Sequence, residues 1–325
     1  MPPMHSRFPQ PDQAAALPEL NIFRSTDRPT ADRKDGLVEG LFRTSEMVLL
    51  VGESNSGKSG AALDLALCVV HGMKWKGHKT KKSGALYCAG ESPPGIEALE
   101  KAWNQHHKKQ RHENMFFLEE TFDLDKPEHV EWFKKQVRAI EQATGVKIGL
   151  IVLDTFVDFL GDAEENSNTE LRQVMRAIQL IARDLDAAVV IVHHMGKDAS
   201  KGARGGTATN AKADLRLDCT KEAGFTNLAV GKLRRGKTGG WKQLFRKEVA
   251  IGKDDWGNDD TSYVMVPRSE ASDDDFAELE AFRAAATAAK KRQPAAAKKA
   301  ASKAGEQIDI EDAIAAANDN PSPAA

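Results

Sequence analysis

Cysteine, net charge and long apolar runs are what this chain of 325 residues has least of. Its three cysteines, Cys68, Cys88 and Cys219, are an odd number, lie far apart, and each falls in or beside an apolar run. That argues against a disulfide framework and a zinc cluster, and for buried, reduced thiols in a cytoplasmic compartment. No apolar run approaches the ~18 residues that a bilayer span needs, and no basic stretch followed by an apolar one opens the chain. Neither membrane insertion nor export is expected. With a net charge of −2, the molecule as a whole does not attract polyanions, so any such contact has to use a local basic cluster.

Apolar content is sufficient: 41% of the residues are hydrophobic, enough for a sizeable core. The ends do not share in it. Pro, Gln and Ala dominate the first residues, and beyond about residue 270 no mixed apolar pattern remains. The expected organisation is a flexible arm over 1–21, one packed domain over 22–268 and a flexible tail over 269–325. Within the tail, residues 283–304 hold seven Lys or Arg and no acid, while 305–325 hold five acids and no base. This reads as a basic linker followed by an acidic segment, IDIEDAI, that offers a short partner-binding helix.

Apolar periodicity in the packed part alternates between strand and helix. LFRTSEMVLLVG ends in a strand, and GKSGAALDLALCVVHG has helical spacing through Leu63, Leu67 and Val70. ALYCAGE and NMFFLEE read as further strands, with a helix around Leu99 and Trp103 between them and another over 128–143. KIGLIVLDT is a nearly continuous apolar run, as in a strand buried on both faces. Asn166, Ser167 and Asn168 cap a helix over 169–185 with a stripe of Leu171, Val174, Ile178 and Ile181, and AAVVIVHH follows as a strand. ADLRLDCTKE, FTNLAVGKLRRG and QLFRKEVAIG suggest appended antiparallel strands. The expected fold is α/β, a mostly parallel twisted sheet with helices on both faces, and ligands then gather at the carboxyl ends of the strands.

GESNSGKS, Gly52 to Ser59, fits the pattern G-x-x-x-x-G-K-[ST] between a buried strand and a helix. In that context the amides of Gly52, Glu53, Ser54, Asn55, Ser56, Gly57, Lys58, Ser59 and Gly60 cradle the phosphates of ATP, Lys58 reaches the β- and γ-phosphates, and the Ser59 hydroxyl ligates Mg²⁺. Asp154, closing LIVLD, is the candidate for the second magnesium position; an ordinary strand-ending Asp is the bland reading. Glu91, just beyond ALYCAG, suits a base or water-orienting group, against the plainer reading of a solvated loop glutamate. His193 and His194 are neighbours on a strand, so they point to opposite faces and do not chelate one metal; one of them faces the phosphates as a sensor, or both are structural. The loop MGKDASKGARGGTATN presents Lys197, Lys201 and Arg204 to a phosphodiester backbone. GKLRRGKTGG adds Lys232, Arg234, Arg235 and Lys237, cations fit for a neighbour's γ-phosphate or for a surface turn.

LVEGLF, the phosphate loop, YCAGES, IVLDT, VHHMGKD, ARGGT and KLRRGKTG, in this order over roughly residues 22 to 265, resemble the RecA-fold ATPases, specifically the AAA_25 group that includes RepA-type plasmid and phage replicative helicases. The resemblance implies a RecA-like core in which Lys58 and Ser59 hold the phosphates and Mg²⁺, Asp154 is the metal-binding acid, Glu91 the catalytic glutamate and His193 or His194 the γ-phosphate sensor. It implies that Lys232-Leu233-Arg234 reaches across a subunit interface, with Arg204 as a rival finger. It also implies that segments about 157–168 and 195–210 line a central channel; the first is acidic, with Asp158, Asp162, Glu164 and Glu165, so the basic second is expected to meet DNA. No segment reads as a separate DNA-binding module or as an N-terminal primase-binding domain.

The function expected on these grounds is a ring-forming, hexameric, magnesium-dependent ATPase that translocates on single-stranded DNA as a replicative helicase in plasmid, phage or mobile-element replication. The alternative is a RecA-like DNA-binding or regulatory ATPase that does not unwind. A small-molecule kinase finds no signature, and Glu91 speaks for water as the nucleophile.

Overall fold

The computed structural model describes residues 36–165, 167–194, 206–222 and 225–270, with 272 and 277 besides. Gly36–Val38 (β1) and Phe42–Arg43 (β2) form a two-stranded antiparallel ribbon. There follow β3 (Met47–Gly52), α1 (Lys58–His71), β4 (Gly84–Ala89), α2 (Pro93–His106), β5 (Met115–Leu118), α3 (Pro127–Thr144) and β6 (Ile148–Asp154). A 3-10 turn over Phe156–Phe159 leads to α4 (Asn168–Asp184) and β7 (Ala188–His194). The chain closes with α5 (Gly206–Lys212), β8 (Leu215–Glu222), β9 (Phe225–Leu233), β10 (Gly239–Lys253) and β11 (Asp259–Pro267).

The nine-stranded sheet has the order β11-β10-β9-β8-β3-β7-β6-β4-β5. From β8 to β5 every pairing is parallel, and β9, β10 and β11 join antiparallel. The expected α/β fold, a RecA-like parallel sheet with appended antiparallel strands, is what forms.

Strand alternation splits the core into two layers. Val48, Leu50, Tyr87, Val152 and Val190 face α1 and α2, whereas Met47, Leu49, Leu86, Ile151 and Val189 face α3 and α4. On α4 the stripe Leu171, Val174, Ile178 and Ile181 is buried, and Ser167 caps the helix by accepting from the Glu170 amide at 3.4 Å. Asn166 lies outside the described residues.

Three features of the fold go beyond what the sequence suggests. α1 has no solvent face: all of it from Gly60 to Val70 is buried, because β11 and α2 cover the side that the sheet does not. β11, with the sequence DDTSYVMVP, carries no expected strand, and β10 runs 15 residues, past both ends of QLFRKEVAIG. Asp, Asn and Gly at the tip of this hairpin hide a pairing that holds from Leu244↔Pro267 to Lys253↔Asp259. α5 is likewise unexpected; seven residues without a large apolar side chain, GTATNAK, are too few to show a helical period.

Candidate nucleotide site

β3 ends at Gly52, and the chain needs Gly there because a Cβ would approach the Cys219 carbonyl oxygen of β8 to 2.2 Å. The loop then turns through Asn55 at φ 57° and Gly57 at φ 92°, left-handed conformations that glycine adopts without strain. α1 begins with no side-chain cap among the described residues and no acid in its first turn. Its first amides are therefore available to an anion, which the helix dipole also favours. Glu53 and Ser54 are exposed on the loop, Ser56 is buried, and Ser59 and Gly60 form the first turn of α1.

Lys58 is only 3% exposed. Its Nζ donates to the Glu53 carbonyl at 2.6 Å and lies 3.3 Å from Nδ1 of His194. Burial holds its pKa below the ordinary lysine value, while the neighbouring Cys219, Asp154 and Glu91 pull it back up. An ammonium folded onto its own loop in this way is positioned to exchange a carbonyl for a phosphate oxygen.

Asp154, 4% exposed, ends β6. Tyr87 donates its hydroxyl to Asp154 Oδ2 at 2.5 Å. The carboxyl pKa is raised, by burial first, with hydrogen bonds from Tyr87 and Ser59 opposing and the charge of Glu91 adding to the rise. Its other oxygen, Oδ1, is buried and has no hydrogen-bond partner among the described residues. An orphaned carboxylate oxygen beside a serine hydroxyl fits a hard divalent cation that draws its remaining ligands from phosphate and water. Among the described residues no group of three or more His, Cys, Asp and Glu could hold a metal.

Glu91 reaches this centre through strand register. Ala89 pairs with Asp154, and the Gly90 amide donates to the Asp154 carbonyl at 2.7 Å. Glu91, exposed at the end of the same turn, acts electrostatically on Lys58, Asp154 and His194. Asp158 backs the turn: its Oδ2 accepts from the Thr155 amide at 3.1 Å and the Thr155 hydroxyl at 2.7 Å, and a Cβ on Gly90 would come within 2.6 Å of it.

The two histidines point to opposite faces, as the strand period requires. Gly52 pairs with His194, which turns to Lys58; burial, then the Lys58 charge, lowers its pKa. His193 turns the other way, edge-on to Phe156 with ring centroids 5.3 Å apart. Burial pushes it down to about 4, so it is neutral at pH 7 and its 3.8 Å approach to Glu165 Oε1 is no ion pair.

Lys232 and Arg234 are at the other end of the sheet. Arg234 pairs with Asp214 at 2.9 Å, Arg235 with Glu46 at 2.7 Å, and Lys232 donates to the carbonyls of Asn210 and Ala211 at 2.6 and 3.1 Å. Glu46 precedes β3 and Gly52 ends it, so about 20 Å of strand separates these cations from their own phosphate loop. Lys197, Lys201 and Arg204 lie outside the described residues.

Three residues at the site carry no sequence signal. Tyr87 is hidden inside an apolar run. Thr226 of β9 donates to the Ser56 carbonyl at 2.8 Å, and Arg246 of β10 donates to the Asn55 carbonyl. Arg246 also lies over the Tyr263 ring, 4.8 Å from its centre, and Tyr263 and Met265 close on Gly60 so that a Cβ there would meet them at 2.9 and 3.2 Å.

The sequence pattern of the AAA_25 family, described as an AAA domain, matches residues 12–200. No curated protein matches the chain. A solved structure of a DnaB-like replicative helicase, reported with its interactions with primase, is similar at a TM-score of 0.47 and 13% identity over 68% of this chain and 57% of that one. The chain thus spans little more than half of that structure's length.

Proposed function

The chain belongs to the AAA_25 family, and from that premise we propose that it is a magnesium-dependent ATP hydrolase that forms a ring, a hexamer, and moves on single-stranded DNA as a replicative helicase in plasmid, phage or mobile-element replication. The observation that carries the hydrolase reading is the convergence of Lys58, Asp154, Glu91 and His194 at the ends of four neighbouring strands, β3, β6, β4 and β7.

In this reading the loop amides from Gly52 to Gly60 and the first turn of α1 bind the phosphates, and Lys58 gives up the Glu53 carbonyl for the β- and γ-oxygens. Ser59 and Asp154 would hold Mg²⁺, which would supply neutralisation of phosphate charge. Tyr87 keeps the Asp154 carboxylate turned for that task. Glu91 accepts the proton of the water that attacks the γ-phosphorus, and the β-γ bridging oxygen leaves with ADP. His194, sharing Lys58 with the phosphates, registers whether the γ-phosphate is present and passes this to the segment after β7, where Lys197, Lys201 and Arg204 meet DNA. Lys232 and Arg234, remote from their own loop, serve a neighbour's nucleotide, with Arg204 as the rival finger. The acidic end of the tail takes a replication partner.

ATP hydrolysis and strand displacement by the purified chain, with and without single-stranded DNA, test the reading. Hydrolysis stimulated by DNA together with unwinding is the expected result. Stimulated hydrolysis without unwinding favours a non-unwinding regulatory ATPase, and no hydrolysis under any condition removes both.

A further inference from the structure

The end of the core farthest from the phosphate loop is basic, and none of it takes part in the site above. α1 runs 14 residues from Lys58 to His71, about 20 Å. Around its C-terminus, residues 72–83 and the turn after α2 come together. His71 stacks on Trp103 at 5.3 Å between ring centroids and meets His112 edge-on at 4.8 Å, and His107 lies 4.3 Å from Trp103. Gly72 ends α1 at φ 67°, and a Cβ on it would lie 3.3 Å from the Cβ of Lys82. The amides of Lys108 and Lys109 donate to the carbonyls of Gln105 and Asn104 at 3.2 and 2.8 Å, so the end of α2 fixes the backbone of both lysines.

Lys74, Lys82, Lys108 and Lys109 are exposed, and among the described residues none of the four ammonium groups makes an ion pair or hydrogen bond. Acids occupy the rim instead. Glu97 and Glu100 hold Arg111 at 2.7 and 3.3 Å, and Glu39 faces Lys79 at 3.7 Å. His71 is pushed down to about 4 by burial first, then by His112, Lys109, Lys82 and His107. His107 is also at about 4, by burial and then His106, Lys76 and Lys109, with Asp64 opposing. His112 is lowered by burial and Lys82, with Glu113 opposing.

We propose that this end of the core, with Lys74, Lys82, Lys108 and Lys109 on the segments that meet around His71, His107 and His112, binds the phosphodiester backbone of single-stranded nucleic acid independently of nucleotide at the phosphate loop. Ammonium groups on flexible stems are point charges that suit a run of phosphates. An acidic peptide such as IDIEDAI would need an apolar seat as well. Ile96, Met115 and Phe117 do line a pocket beside His112, but Glu97, Glu100 and Glu119 line it too, and these carboxylates repel an acidic segment. The proposal does not rest on the ATPase reading.

The test uses the full chain without nucleotide, a labelled oligodeoxythymidylate and a salt series followed by fluorescence anisotropy. In K82A/K109A the affinity falls roughly tenfold and the slope of log K against log salt drops by about 1.4, or ~0.7 for each phosphate that is no longer neutralised. K82R/K109R keeps both, and hydrolysis without DNA is unchanged in either variant. Bound oligonucleotide also raises the NMR titration midpoint of His71 above about 4, because its phosphates offset the field of Lys82 and Lys109. An affinity and slope unchanged in both K82A/K109A and K74A/K108A overturn the proposal. So does a surface that takes a peptide of residues 305–325 but not the oligonucleotide.

Discussion

From β5 to β8 the strands of the sheet run parallel and bring Glu91, Asp154 and His194 to one end; from β9 to β11 they run antiparallel and send Thr226, Arg246 and Tyr263 against the outer side of the same loop. The first half supplies groups that titrate or ligate. The second supplies hydrogen bonds to the carbonyls of Asn55 and Ser56, and a ring and thioether packed on Gly60. A phosphate loop with a left-handed Asn and an uncapped helix start needs such outside support, since its own hydrogen bonds are few. Chemistry and positioning are thus divided between the two halves.

The division can be tested from the strongest effect downward. Lys58→Ala and Glu91→Gln, both on the parallel side, should each lower the hydrolysis rate by about 10² to 10⁴. Calorimetry should show ATP binding lost in the first and kept in the second; hydrolysis undiminished in Glu91→Gln would remove Glu91 from the chemistry. Tyr87→Phe takes one hydrogen bond from Asp154, and the Mg²⁺ concentration for half-maximal rate should rise ~10- to 100-fold. A magnesium dependence equal to that of the parent chain would reduce Tyr87 to a packing role.

Arg246→Ala and Thr226→Val act from the antiparallel side. Each removes a bond to a loop carbonyl worth about 1 kcal/mol, or roughly fivefold in nucleotide affinity, with little effect on the rate at saturating ATP. A loss confined to the rate would mean that Arg246 touches the reaction. The last effect bears on stability and is the most general. His71, His107 and His193 titrate at about 4 in the fold against ~6.5 in the unfolded chain. Between those values the unfolded state binds more protons, so stability falls as pH drops from about 6.5 toward 4. Urea midpoints measured across this range should decline, and His193→Gln should flatten the decline in part.

Much of the parallel half was legible because its signals are local. A strand, a glycine-rich loop and a helix lie within 25 residues of one another (Met47 to His71), and a continuous apolar run closed by Asp154 reads as a buried strand without further help. The opposite orientations of His193 and His194 followed from the period of a strand, although only the three-dimensional contacts tell that His194 is the one facing Lys58. Tyr87 was invisible because a tyrosine in an apolar run looks like core until its hydroxyl is seen on Asp154.

Arg246 and Thr226 meet the loop across 191 and 170 residues of chain, and no spacing rule reaches that far. β11 is illegible for a related reason: its Asp, Thr and Ser are tolerated only because β10 pairs with it along its length. Lysines at 74, 82, 108 and 109 look like two ordinary polar connections in the linear chain. The two connections come together when the ends of α1 and α2 meet through His71 and Trp103.

Local periodicity and a compact loop motif were enough to specify the alternation of strands and helices in the parallel half, the helix that carries Lys58 and the end of the sheet where ligands gather, because each depends on residues a few positions apart. Which side of the loop is braced, which histidine meets the lysine and where unpaired charge accumulates depend on contacts between distant segments. Such contacts exist only after the sheet has brought those segments together.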